Sequence, residues 1–269
     1  MRSTSASGVT IRYDDRGAGE PALLLMPGWC VDRRVYSDLA PKLAERYRVV
    51  ALDWRGHGES QPPEDDFDFH DLVQDALSAI EASGAHTVVP VAQAHAGWVA
   101  IELRRRLKER VPKLVLLDWL VGDPSSDFVR LLKLLQTEHW REARDRIFEI
   151  WTAGASSQRV EKYLHDVVSK FECEMWGRAA RAVEQSYSEC GSPLSALSTL
   201  QPPVPVLHLY AQPDTPEFAD LQTVFARKHP WYRFQKLEAG THFAMFECPA
   251  EIATAINEFV ATGAVGKAA

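Results

Sequence analysis

Two apolar patterns alternate along the first 120 residues of this chain. Residues 9–13 alternate apolar and polar side chains, as an edge strand does, and residues 14–20 read as the turn that follows. Ala22–Met26 is a continuous apolar run, the pattern of a strand buried on both faces of a parallel sheet. Residues 47–52, residues 88–91 and Leu114–Leu117 repeat it. Between the second and third of these buried runs, Leu72, Val73, Ala76, Leu77 and Ile80 form a helical stripe that Gly84 ends. This alternation predicts an α/β chain with a mostly parallel, doubly wound sheet and crossover helices. Pro90 sits inside one of the central runs, where it lacks the N–H of a ladder bond, so a local irregularity is expected there.

From residue 124 to residue 200 the strand pattern gives way. Leu131, Leu132, Leu134 and Leu135, then Ile147, Phe148, Ile150 and Trp151, then Tyr163, Leu164, Val167 and Val168 read as short amphipathic helices. Gly154 and Gly191-Ser192-Pro193 punctuate them. We expect a helical cap over residues 124–200, laid on the C-terminal edge of a core formed by residues 1–123 and 201–269. Core and cap together make one structural domain. After Gln201-Pro202-Pro203 the pattern returns to strand (204–210), helix (218–228), strand (233–237) and helix (250–260), and a tail of small residues closes the chain at 262–269.

Composition narrows the partners. At 269 residues the chain has the length of one large domain, and 46% hydrophobic with 25% charged residues is ordinary for a globular protein. A net charge of −7, with no basic stretch interleaved with aromatics, argues against nucleic acid or an anionic membrane as partner. No apolar run approaches the roughly 20 residues that span a bilayer, and the N-terminus lacks a signal-type apolar stretch. A cytoplasmic monomer is expected. The four cysteines show no metal-like or paired spacing and read as reduced thiols, and the nine histidines fall in no ligand spacing, so no metal is indicated.

Candidate chemistry lies where strands end, because open α/β sheets bind ligands beyond the carboxyl ends of their strands. Four segments fall there. Met26-Pro27-Gly28-Trp29-Cys30 offers the Trp29 N–H to a developing oxyanion. Asp53-Trp54-Arg55-Gly56-His57-Gly58-Glu59-Ser60 reads as a structural turn, His57 included. Val91-Ala92-Gln93-Ala94-His95-Ala96-Gly97-Trp98 resembles the strand-to-helix bend of the α/β-hydrolase fold, in which Gly-x-Ser-x-Gly exposes a nucleophile. Here all three diagnostic positions are alanine, and Ala94 stands where the serine would be. The His95 N–H would complete the oxyanion donors, and its imidazole is expected at the pocket wall rather than on a metal. Last, Ala239-Gly240-Thr241-His242-Phe243 places His242 as a general base. A carboxylate should hold its ring in one tautomer. Asp118, buried in Leu117-Asp118-Trp119-Leu120, is favoured over Asp214, since an ionised carboxylate among apolar neighbours needs a partner and Asp214 lies in a polar turn.

Taken together, these residues resemble a branch of the α/β-hydrolase superfamily, the cofactor-independent 2,4-dioxygenases of 3-hydroxy-4(1H)-quinolones. The resemblance runs over nearly the whole chain. It rests on Pro27-Gly28-Trp29-Cys30, Trp54-Arg55-Gly56-His57-Gly58, His95 with Gly97-Trp98, Asp118-Trp119-Leu120, Trp151, Trp176-Gly177-Arg178, His229-Pro230-Trp231 and Thr241-His242-Phe243. It implies the α/β-hydrolase fold, with a helical cap inserted after the sixth strand. It further implies cofactor-free cleavage of a 3-hydroxy-4(1H)-quinolone ring by O2, yielding an N-acylanthranilate and carbon monoxide. By the same resemblance His242 is the base, Asp118 its orienter, the N–H groups of Trp29 and His95 polarise a substrate oxygen, and Trp151 is a pocket tryptophan of the cap.

Two departures bear on this. The family carries serine, an auxiliary hydrogen-bond partner, where this chain has Ala94, and histidine where it has Val31. Both changes make the pocket more apolar and suggest a 2-alkyl substituent longer than methyl, as in 2-heptyl-3-hydroxy-4(1H)-quinolone. Two other readings stand beside the oxygenase: an esterase or amidase whose nucleophile Ala94 has replaced, and a non-catalytic ligand-binding protein. A retained base and orienter weigh against the last.

Overall fold

The segments Ala22–Met26, Val49–Leu52, Val88–Gln93 and Leu114–Leu117 carry no charge and bury every side chain, so each pairs on both edges and packs on both faces. The computed structural model describes residues 1–152 and 157–262, and in it these segments form the middle of an eight-stranded sheet. Gly154, expected to punctuate the cap, and residues 263–269 of the expected tail lie outside the described residues. The strands are β1 (Arg2–Ala6), β2 (Val9–Arg16), β3 (Ala22–Met26), β4 (Val49–Leu52), β5 (Val88–Gln93), β6 (Leu114–Leu117), β7 (Val206–Tyr210) and β8 (Tyr232–Lys236), in the spatial order β1-β2-β4-β3-β5-β6-β7-β8. Pairing is antiparallel through β1, β2 and β4 and parallel from β4 to β8.

The helices are α1 (Ala40–Ala44), α2 (Phe69–Ser83), α3 (Ala96–Leu107), α4 (Ser126–Leu134), α5 (Trp140–Thr152), α6 (Gln158–Asp166), α7 (Cys173–Cys190), α8 (Pro193–Ser198), α9 (Pro216–Lys228), α10 (Ala244–Glu247) and α11 (Pro249–Ala261). The predicted stripe of Leu72 to Ile80 is the buried face of α2. Asp68 and Asp71 close its start as a capping box, and Gly84 ends it at φ 73°. Five helices, α4 to α8, lie between β6 and β7, as the loss of strand pattern predicted. None of the described helices is long and apolar enough to cross a membrane.

The structure corrects three local expectations. Residues 14–16 are strand, not turn: Asp14, Asp15 and Arg16 pair with Ala51, Val50 and Val49. Burying Asp15 there is tolerable because Arg48 binds its carboxylate with two bonds, at 2.9 and 2.7 Å. Nor is β2 an edge strand, since the polar β1, which shows no apolar period, covers it. The third concerns Pro90, where β5 runs unbroken. Ala22 N–H bonds Thr87 O and Ala94 N–H bonds Leu117 O, so alternate residues of β5 turn to β3 and to β6, and Pro90 turns to β6. Pairing with β6 begins only at Val91–Val115, so the missing N–H falls before that ladder starts.

Candidate active site

Between Gln93, the end of β5, and Ala96, the start of α3, two residues must reverse the chain. Ala94 does so at φ 49°, a left-handed conformation that costs a residue with a Cβ on the order of 1 kcal/mol. Its N–H bonds Leu117 O at 2.8 Å, and its own carbonyl accepts from Gly97 N–H at 3.0 Å. The strained bend that presents a nucleophile in hydrolases is thus retained around a methyl group. A Cβ on Gly28 would stand 3.6 Å from Ala94 Cβ and 3.6 Å from Gln93 Oε1, so the loop after β3 lies directly against the bend. Among the described residues, the N–H groups of Trp29 and His95 have no backbone or side-chain acceptor. Both belong to residues that line the same cavity.

His242 is set by a cap helix. Its N–H donates to Trp151 O at 2.8 Å, and its ring stacks on the Trp151 indole with centroids 5.4 Å apart and planes 12° from parallel. Enclosure by Trp151 and Phe243 withholds water from the ring, and burial lowers its pKa to about 4. The free site therefore holds a neutral imidazole at neutral pH, the form that accepts a proton. The ring of His95, stacked 5.5 Å from Phe128, is likewise lowered to about 3, first by burial and then by His242.

Asp118 follows β6 with φ 45° and is 2% exposed. Its Oδ1 accepts the N–H groups of Ala211 at 2.6 Å and Gln212 at 3.0 Å, while Oδ2 has no hydrogen-bond partner among the described residues. Burial outweighs those two bonds and raises the carboxyl pKa to about 7. No hydrogen bond joins Asp118 to the His242 ring in this structure. Asp214, the other candidate, is exposed, pairs with Lys236 and is not among the residues that line the cavity. His57 belongs to the turn's framework: Nε2 accepts Cys30 N–H at 3.0 Å and Nδ1 lies 3.0 Å from Arg55 O, which assigns the proton to Nδ1.

All six residues singled out in the sequence, Trp29, Ala94, His95, Asp118, Trp151 and His242, line one cavity of about 180 Å³. The sheet side supplies the polar groups, and α4, α5 and α7 supply Phe128, Leu131, Ile147, Trp176 and Val183. Sequence patterning alone did not place those cap residues, because the stripe of an amphipathic helix is the same whether it faces packed protein or a ligand. Gln93 was also missed, although an uncharged amide at the end of an apolar run was a visible signal. Among the described residues, no three His, Cys, Asp or Glu side chains form a metal-ligand set.

The α/β hydrolase family profile matches residues 23–255. A 2-heptyl-3-hydroxy-4-quinolone dioxygenase of Rhodococcus erythropolis is 37% identical over 94% of this chain and 96% of its own. A 1H-3-hydroxy-4-oxoquinoline 2,4-dioxygenase of Pseudomonas putida is 33% identical over 97% of this chain and 99% of its own. Among solved structures, a variant of the dioxygenase AqdC in complex with its substrate, the Pseudomonas quinolone signal, superposes with a TM-score of 0.92 at 31% identity, covering 97% of this chain and 98% of that one. An enol-lactonase of Burkholderia xenovorans, at 18% identity and a TM-score of 0.73, shares the fold alone. The chain belongs to the α/β hydrolase family and, within it, to the 3-hydroxy-4-quinolone 2,4-dioxygenases.

Proposed function

We propose that this protein is a dioxygenase that opens the heteroaromatic ring of 2-alkyl-3-hydroxy-4(1H)-quinolones with O2 and needs no cofactor. The observation that carries the reading is the cavity itself, which holds a neutral, half-buried imidazole, a buried carboxyl and two free N–H groups around a bend whose central side chain is a methyl. Such a site can take a proton and hold an anion, but it offers no side chain at the bend to attack a carbonyl. The esterase reading therefore lacks its nucleophile, and a simple receptor has no use for a base.

His242 accepts the 3-hydroxyl proton, and Asp118, through its unengaged Oδ2, stabilises the imidazolium. The N–H groups of Trp29 and His95 hold the substrate oxyanion. The electron-rich anion delivers its electrons to O2, forming a C–O bond at C2. The distal peroxide oxygen closes on C4, and cleavage of the O–O, C2–C3 and C3–C4 bonds releases C3 as carbon monoxide and leaves an N-acylanthranilate, with one oxygen of O2 on C2 and the other on C4. Both atoms of O2 end in that product. The cap, residues 124–200, contributes the apolar wall that excludes water from the anion and accommodates the 2-alkyl chain.

The test is anaerobic mixing with 2-heptyl-3-hydroxy-4(1H)-quinolone followed by admission of O2. The spectrum of the substrate anion should form first and then decay, with one carbon monoxide released per substrate, in the presence or absence of a metal chelator. His242→Ala should slow turnover at neutral pH by about 10²-fold or more, and less at high pH where the hydroxyl ionises unaided. Persistence of this substrate and its shorter 2-alkyl analogues under O2 would sink the reading.

A further inference from the structure

We propose that Gln93 is a substrate-binding residue, whose carboxamide Nε2 donates a hydrogen bond to the negatively charged oxygen of the deprotonated substrate. The proposal rests on the function just given and adds a donor that neither the bend pattern nor the base identifies. Gln93 ends β5, is fully buried at 0% exposure, and lines the cavity immediately before Ala94. Its orientation is settled by chemistry. Gly28 N–H donates to the side-chain oxygen at 3.2 Å, and only the oxygen end of an amide can accept. The NH2 end is therefore the free one, and among the described residues it has no partner.

A buried amide without an acceptor is costly, and an acceptor brought by the ligand removes that cost. The rest of the cavity calls for the same ligand chemistry. The other cavity-lining residues with buried, unpartnered side-chain nitrogens include Trp29, Trp119 and Trp176, whose indole N–H groups can only donate. Asp118 Oδ2 and His95 Nε2 are also unpartnered and can accept, so these indole and amide donors outnumber the acceptors among the unpartnered side-chain atoms of the lining residues. Gln93 stands out because its other end is anchored. Ala94 Cβ and the anchored Gln93 Oε1 both lie 3.6 Å from the Cβ position of Gly28, so the amide and the bend meet the same loop. Ala94 offers only a methyl, and Gln93, the residue before it on the cavity wall, offers an amide donor.

Gln93 also ties β5 to the loop carrying Trp29, and the experiment must separate that structural role from binding. Gln93→Glu keeps length, shape and an oxygen for Gly28 N–H, but replaces the NH2 donor with a second, anionic oxygen. Binding of 2-heptyl-3-hydroxy-4(1H)-quinolone and of its analogue without the 3-hydroxyl, which cannot form the 3-oxyanion, is measured anaerobically for both proteins. The wild-type chain should form the substrate anion. Gln93→Glu should bind the hydroxylated ligand at least 10-fold more weakly and leave it neutral, while affinity for the other ligand changes less than 3-fold. Gln93→Met, which loses both polar ends, is read by the same pair of ligands if the glutamate variant does not fold. Equal weakening of both ligands, or anion formation unchanged in the variant, would overturn the role of Gln93. Absence of anion formation by the wild-type chain would instead overturn the proposed function.

Discussion

Asp118 shows how burial can set a working range. A carboxyl raised to about 7 is protonated through the acidic range and ionises near neutrality. Only the ionised form can stabilise an imidazolium at His242, so turnover should fall as the pH drops below about 7. In a profile of kcat/KM from pH 5.5 to 8.5, the wild-type enzyme is expected to show that limb. Asp118→Asn should abolish it and lower the plateau by about 10²-fold. A limb that persists unmoved in the variant would assign it to another group. The residue scale also explains why Asp118 was legible in the sequence and its partners were not. An aspartate closing an apolar run stands out as a cost, whereas the backbone N–H groups of Ala211 and Gln212 that offset it lie 93 and 94 positions away.

At the scale of elements, the bend works only because α3 comes very close to the strand end beside it. A Cβ on Gly97 would fall onto the Trp119 ring, which is fully buried and also meets Trp98 edge-on with centroids 5.0 Å apart. Trp119 lines the cavity and follows Asp118, so a displaced ring would disturb the site as well as the core. Gly97→Ala is expected to destabilise the fold by about 1–3 kcal/mol through overpacking. It should also weaken substrate binding, and both effects are measurable by denaturant titration and anaerobic ligand titration. Unchanged stability would mean that α3 can retreat from the sheet. The helical pattern of the cap was legible as amphipathic stripes, and so were most strands as apolar runs. The polar β1 was not, because its place in the sheet depends on β2 rather than on its own side chains.

The whole molecule stores a pH dependence in two buried and two half-buried histidines. His57, His208 and His242 are lowered to about 4 and His95 to about 3, in each case chiefly by burial. A depressed histidine adds stability that is present above its unfolded value of 6.5 and lost as the pH falls toward the folded value. Asp118 and Asp75, raised by burial to about 7 and about 6, act in the opposite sense: their contribution is present below pH 3.8 and lost as the pH rises through 6–7. Near pH 5, unfolding lets four histidines take up protons and two carboxyls release them, a net uptake of two from these groups. Stability should therefore fall as the pH is lowered from 6.5 to 4.5, by about 1.4 kcal/mol per pH unit for each net proton. Urea midpoints across that range test this, and a flat profile would show that the histidines are hydrated in the native state.

The chain's own pattern determined the central strands of the sheet, the interrupting helices, the alanine bend and the late histidine, because apolar period and turn chemistry are local properties that a sequence displays directly. It also set Asp118 above Asp214, since the cost of a carboxylate among apolar neighbours is visible in the neighbours. Tertiary structure alone decided that six separated residues share one cavity, and that Pro90 can sit in a central strand. It alone turned the free end of the Gln93 amide away from Gly28. Each of these depends on which groups meet across the fold, and hydrogen bonds and packing between distant segments leave no period in the sequence.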